Sequence, residues 1–145
     1  MITGPVIGRT VILPDEKATE QLAEKISREI RTSDVLALYG ELGVGKTSFT
    51  QYLCKALGVH EYVSSPSYVL INEYKGRLEI AHVDLYRLNN PEEVWELGLE
   101  EFFEQKLTII EWPEIAKDIL PARTIHFYFS FLNKARKVKI MKGHV

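Results

Sequence analysis

The chain has 145 residues, 46% of them hydrophobic and 26% charged, with a formal net charge of −2. That is the make-up of a soluble globular protein, expected here as one domain over residues 1–145, and enough chain for a real core. The near-neutral balance excludes a protein that binds nucleic acid or anionic membrane chiefly through its global charge. No run of 18 apolar residues reads as a membrane span and the start does not read as a secretory signal, so the expected location is cytoplasmic. Cys54 is the only cysteine. It excludes an intrachain disulfide and reads as a small buried apolar residue.

In chain order, Val6 to Leu13 reads as a strand ending at Pro14. Asp15 is placed to cap a helix that buries Thr19, Leu22, Ala23, Ile26 and Ile30 at helical spacing. Asp34 to Tyr39 is a short apolar strand, and Lys46 to Leu57 is a helix with Phe49, Tyr52, Leu53 and Leu57 on one face and Gly58 just past its end. Between them lies Gly40-Glu41-Leu42-Gly43-Val44-Gly45-Lys46-Thr47, which fits G-x-x-x-x-G-K-[ST], the phosphate-binding loop. Glycines let successive N–H groups converge on the α/β-phosphates. Lys46 reaches the β/γ-phosphates, the Thr47 hydroxyl can bind Mg²⁺, and the helix N-terminus, with Ser48 in its first turn, adds its dipole. Strand, loop and helix in that order are the setting this motif requires.

The polar stretch Val63-Ser64-Ser65-Pro66-Ser67 is a loop, because the residue before a proline is disfavoured in a helix. Tyr68 to Tyr74 and Leu78 to Val83 are strands joined at Lys75-Gly76-Arg77, a hairpin signal. Asn89-Asn90-Pro91 starts a short helix through Leu97. Leu107 to Ile110 is a compact apolar strand, and Ile125 to Phe131 with Lys137 to Met141 reads as a final antiparallel pair. Helices alternate with strands early and hairpins dominate late. The expected class is therefore α/β, a single P-loop NTPase-like domain with a mixed parallel/antiparallel sheet.

Nucleotide hydrolysis also needs an acid to address Mg²⁺. Two strands end on one: Ile80-Ala81-His82-Val83 runs into Asp84, and Leu107-Thr108-Ile109-Ile110 runs into Glu111. Strand ends on the loop side of such a sheet face the ligand crevice. His82 points opposite to its strand neighbours and reads as a structural hydrogen-bonder. Trp112 is read either as an aromatic beside the site or as core packing, and Arg87 either as a partner of Asp84 or of a phosphate. The basic tail (Lys134, Arg136, Lys137, Lys139, Lys142) is either the solvated face of a last strand or an anion or partner contact.

Together, GELGVGKTSF, SSPSYVLINEY, HVDLYRL and the pair Glu111-Trp112 followed by Pro113-Glu114 resemble the TsaE family, bacterial P-loop ATPases. That family is needed to make N6-threonylcarbamoyladenosine in tRNAs that read codons beginning with A. The similarity spans roughly residues 15 to 115. It implies ATP/ADP and Mg²⁺ as cofactors, bound by Glu41, Leu42, Gly43, Val44, Gly45, Lys46, Thr47 and Ser48, with Thr19 near the base. It implies that Asp84 is a Walker B-like acid and Glu111 a Mg²⁺-site acid, with Lys46, Asp84 and Glu111 carrying the catalysis. Ser65, Pro66, Ser67 and Tyr68 would form a nucleotide-dependent switch, and Trp112 a functional aromatic linked to it. The common family form of that segment is Ser-Pro-Thr-Phe; Ser67 keeps the hydroxyl and Tyr68 the ring. The resemblance further implies an accessory subunit of a TsaD and TsaB complex, weak as an ATPase alone, that meets tRNA mainly indirectly and no membrane.

Three other readings share the loop. A small-molecule kinase would need an arginine-bearing lid, and the arginines here are scattered. A GTPase would need Asn-Lys-x-Asp, and the nearest string, Asn133-Lys134-Ala135-Arg136, ends in the wrong charge. A nucleotide-sensing module without required hydrolysis shares every binding residue.

Overall fold

The computed structural model describes residues 6–143. Its elements in chain order are β1 (Arg9–Leu13), α1 (Glu16–Ser27), β2 (Val35–Tyr39), α2 (Lys46–Ala56), β3 (Ile71–Lys75), β4 (Glu79–Asp84), α3 (Pro91–Trp95), α4 (Leu99–Gln105), β5 (Leu107–Glu111), a 3₁₀ turn (Pro113–Ala116), β6 (Ile125–Leu132) and β7 (Ala135–Lys142). Among the described residues, seven strands form one sheet in the order β1-β7-β6-β2-β5-β4-β3. The four central strands β6, β2, β5 and β4 run parallel. Antiparallel partners close both sides: β3 on β4, β7 on β6, and β1 on β7. The expected mixed α/β sheet is the one observed.

The central strands are buried on both faces, which is why they read as continuous apolar runs rather than alternating ones. In β2 the alternation is still visible in the packing. Leu36 and Leu38 join the core that contains Leu22, Ile26, Phe49 and Leu53 of α1 and α2. Val35 and Ala37 join the opposite core, with Val94, Leu99 and Phe103 of α3 and α4.

Several boundaries differ from the sequence reading, each for a local reason. β1 begins at Arg9 rather than Val6, because residues 6–8 turn: Arg9 N–H donates to the Val6 carbonyl and Gly8 sits at φ +79°. α1 is capped by Asp15, whose Oδ1 accepts from Ala18 N–H at 2.9 Å, but it ends at Ser27, so buried Ile30 lies beyond the helix. Tyr52 lies on the same face, partly buried and packed against the core, while its hydroxyl reaches the rim and donates to Glu16 at 2.8 Å. β3 begins at Ile71 rather than Tyr68. Leu70 N–H closes a turn onto the Pro66 carbonyl and Leu70 takes φ +72°, which removes Tyr68 and Val69 from the strand. The hairpin at Gly76 is borne out. It presses so closely on the end of α2 that a Cβ there would overlap the Leu57 carbonyl. Helix α4 is absent from the sequence reading; it starts afresh after Gly98 at φ +68° and buries Leu99 and Phe103.

For the site, the parallel register matters most. It sets Asp84 of β4 beside Glu111 of β5, and Glu111 beside Leu38 of β2. Both acids therefore end their strands next to the loop that leaves β2.

Candidate nucleotide site

The loop is shaped by glycines that cannot all be replaced alike. Gly43 and Gly45 take φ +80° and +114°, yet a Cβ on either would meet open space. Gly40 takes φ +144°, and its Cβ would lie 2.7 Å from Val44 Cγ1 and 2.8 Å from the Phe129 carbonyl oxygen. Gly40 thus lets the chain leave β2 pressed against β6, while buried Val44 anchors the loop from below. α2 starts directly at Lys46 with no side chain capping its end, so its first N–H groups remain available to an anion.

Lys46 is buried, 4% exposed. Its ammonium donates to the Gly40 carbonyl at 2.5 Å and lies over the Trp112 ring, 3.5 Å from its centroid. Burial lowers its pKa below the ordinary lysine value, and the charges of Glu111, Glu114 and Asp84 act against that shift. Trp112 is held by unusual backbone, φ +56°, and tilts against Tyr86 with ring centroids 4.8 Å apart. Of the two readings of Trp112, the aromatic beside the site is the one observed.

The two acids have different neighbours. Thr47 Oγ1 donates to Glu111, 3.0 Å from Oε1 and 3.1 Å from Oε2. His82 Nε2 approaches the same carboxylate at 2.6 Å. Asp84 instead gathers the Ser-Pro-Ser loop: its Oδ2 accepts from Ser67 at 3.0 Å and from Ser65 at 3.2 Å, and its Oδ1 accepts from Tyr86 N–H at 2.9 Å. Thr47, the hydroxyl of the phosphate loop, thus meets Glu111, while Asp84 holds the segment expected to switch.

Two hollows adjoin at Gly43, Gly45 and Ser48. One contains Lys46, Thr47, Ser65, Ser67, Asp84, Glu111 and Trp112. The other lies on the α1 side and is lined by Thr19, Glu16, Phe129, Lys134 and Arg136. The first has the hydroxyls, acids and lysine suited to phosphates and a cation. The second has a mixed polar and apolar lining of the kind that receives a base and sugar.

Leu42 also lines the first hollow, and the other predicted residues lie around the two hollows. Glu41 and Leu42 are exposed on the loop, and Tyr68 is exposed with the Arg87 guanidinium 4.0 Å over its ring. Arg87 therefore stacks on Tyr68 instead of pairing with Asp84. The basic tail is split by strand alternation: Arg136 turns to the second hollow beside Lys134, over the Phe131 ring, whereas Lys139 is exposed. The residue whose place was least visible in sequence is His82. Strand alternation turned it opposite to its neighbours and marked it as a hydrogen-bonder, but its partner depends on pairing with β5.

A glycine loop between a central strand and a helix, with acids at the ends of adjacent parallel strands, defines a P-loop nucleotide-binding domain. The chain belongs to the TsaE family: the family model described as threonylcarbamoyl adenosine biosynthesis protein TsaE matches residues 13–138. A tRNA threonylcarbamoyladenosine biosynthesis protein TsaE from Rickettsia bellii is 36% identical over 135 residues, covering 92% of this chain and 94% of the relative. The protein of that name from Bacillus subtilis is 37% identical over 110 residues, 74% of this chain and 67% of the relative. The crystal structure of Bacillus subtilis YdiB superposes with a TM-score of 0.80 at 26% identity, covering 94% of this chain and 86% of the other.

Proposed function

We propose that this protein is a Mg²⁺-dependent ATPase that serves tRNA threonylcarbamoyladenosine biosynthesis as a cytoplasmic accessory subunit, working with TsaD and TsaB and meeting tRNA mainly through them. The observation that carries the chemical part is the hydrogen bond from Thr47 to Glu111 beside buried Lys46. The biosynthetic role rests on membership of the family, whose description names it.

The loop N–H groups and the start of α2 would receive the phosphates, with the base and sugar in the hollow near Thr19. Lys46 would exchange the Gly40 carbonyl and the Trp112 face for phosphate oxygens, a stronger partner for its charge. The donor set fits Mg²⁺: a threonine hydroxyl and carboxylates are hard oxygen ligands. Among the described residues there is no cluster of three or more His, Cys, Asp or Glu side chains able to cage a metal. A cation here would be held by one or two protein groups, with phosphates and water completing its shell. Thr47 and Glu111 would hold it, with Asp84 close by, and it would neutralise charge developing on the transferred phosphoryl group.

Asp84 links this chemistry to an output. Through its bonds to Ser65 and Ser67, the order of residues 65–68 would depend on what the site contains. Exposed Tyr68 would carry that change to the surface a partner meets.

The test is release of phosphate from ATP alongside ADP binding. Lys46→Ala should weaken both, lowering turnover by about 100-fold or more. Glu111→Ala should cut turnover by a similar factor and ADP affinity far less, because cation and water placement count most in the transition state. Normal turnover in Lys46→Ala would refute the site; normal turnover per bound ATP in Glu111→Ala would refute the role of Glu111.

A further inference from the structure

Glu111 is held from two sides. Thr47 meets it from the loop, and His82 meets it from within the sheet, Nε2 to Oε2 at 2.6 Å. His82 is fully buried. Parallel pairing sets Asp84 opposite Glu111 and His82 opposite Ile109, so His82 approaches Glu111 diagonally on one face. A carboxylate only accepts hydrogen bonds, so this contact places the imidazole proton on Nε2. The other nitrogen, Nδ1, has no hydrogen-bond partner among the described residues. A buried polar atom left unpaired costs stability, whereas an apolar side chain of similar volume would carry no such cost. Packing alone therefore gives no reason for a histidine at this point. The bond to Glu111 does.

We propose that His82 is a positioning residue for the phosphoryl-transfer chemistry of this site. Its Nε2–H pins one oxygen of Glu111, which keeps the carboxylate turned toward Thr47 and the cation position. The assignment rests on the ATPase reading given above. Without the pin, Glu111 is free to leave the conformation in which it meets Thr47. Hydrogen-bonding partners behind metal-binding groups commonly matter by 10- to 100-fold in affinity or activity.

The experiment compares His82→Leu, His82→Asn and His82→Gln with the unaltered chain. Leucine cannot donate, and asparagine is too short to reach Glu111 from this position. Glutamine can set an amide N–H about where Nε2 lies. Three quantities are read: ATP turnover, the Mg²⁺ concentration at half-maximal turnover, and affinity for fluorescent ADP with and without Mg²⁺. His82→Leu and His82→Asn should each lose about 10- to 100-fold in turnover and need more Mg²⁺. Their Mg²⁺-free ADP affinity should stay within about twofold, since the loop that holds the phosphates is untouched. His82→Gln should recover most of both losses. Unchanged turnover and Mg²⁺ demand in whichever of the leucine and asparagine variants folds would overturn the assignment. So would a glutamine variant as impaired as both, which would reduce His82 to packing. Glu111→Ala is run in parallel. If it too turns over normally, the ATPase reading falls and the role of His82 with it; if it is slow while His82→Leu is normal, only the role of His82 falls.

Discussion

Replacing Gly40 and Gly43 separately by alanine tests whether the loop geometry is as described. Both sit at positive φ, so both substitutions strain the backbone. At Gly43 strain is the whole cost, about 1–2 kcal/mol, because nothing lies within reach of the new methyl group. At Gly40 the conformation lies outside the left-handed helical region and costs about 1–3 kcal/mol. The methyl group would also overlap Val44 Cγ1 at 2.7 Å and the Phe129 carbonyl at 2.8 Å. Forcing those apart adds about 1–3 kcal/mol, since Val44 is buried and the carbonyl belongs to a central strand. For a chain of this size each kcal/mol lowers the melting temperature by about 2–4 °C. Gly40→Ala should then melt about 4–24 °C lower, and Gly43→Ala only about 2–8 °C lower. Thermal and urea denaturation followed by circular dichroism measure both. ADP affinity should fall in each, as the loop N–H groups lose their common centre. Equal melting temperatures for the two variants would refute the proposed contact between Gly40, Val44 and β6.

Two further expectations concern protons. Burial lowers the pKa of Lys46, and a bound phosphate favours its charged form. Nucleotide binding should therefore take up protons at alkaline pH, and affinity should fall as pH rises toward 10.5; calorimetry in buffers of different ionisation enthalpy measures this, and proton release would contradict it. Burial pushes the Cys54 thiol up to about 12. It should resist a thiol reagent until the chain unfolds. Because the unfolded thiol ionises first, stability should decline as pH rises above about 9, the ordinary value, and rapid labelling of the native protein would contradict the burial.

How much of this was legible in sequence depends on the range of the interaction. The loop was legible in full, since Gly40 to Thr47 is one contiguous motif and its flanking strand and helix carry local signals. The strand-end acids were legible as a pair, because an apolar run ending in a carboxylate is also local. Which acid meets Thr47 was not, because it depends on β5 lying between β2 and β4, and strand order is not written in any one segment. The same holds for His82: alternation gave its face, while the parallel register gave its partner. Tyr68 and Leu70 were read as strand because they are aromatic and apolar, but the turn closed on Pro66 overrides that preference. Helix α4 escaped notice because a helix of one or two turns carries too few apolar positions to show a period. Arg136 and Arg87 found their aromatic neighbours Phe131 and Tyr68 through tertiary geometry that charge patterning does not encode.

Under the proposed function, ATP hydrolysis at this loop would drive repeated rounds of tRNA modification. Reconstituting the protein with TsaD, TsaB, tRNA and the threonylcarbamoyl donor, and counting modified tRNA per complex, tests it most directly. With ATP the count should rise well beyond one per complex; with a non-hydrolysable analogue it should stall near the first round. Equal yields over many turnovers with both nucleotides would show that hydrolysis is not required and leave a nucleotide-sensing module in its place.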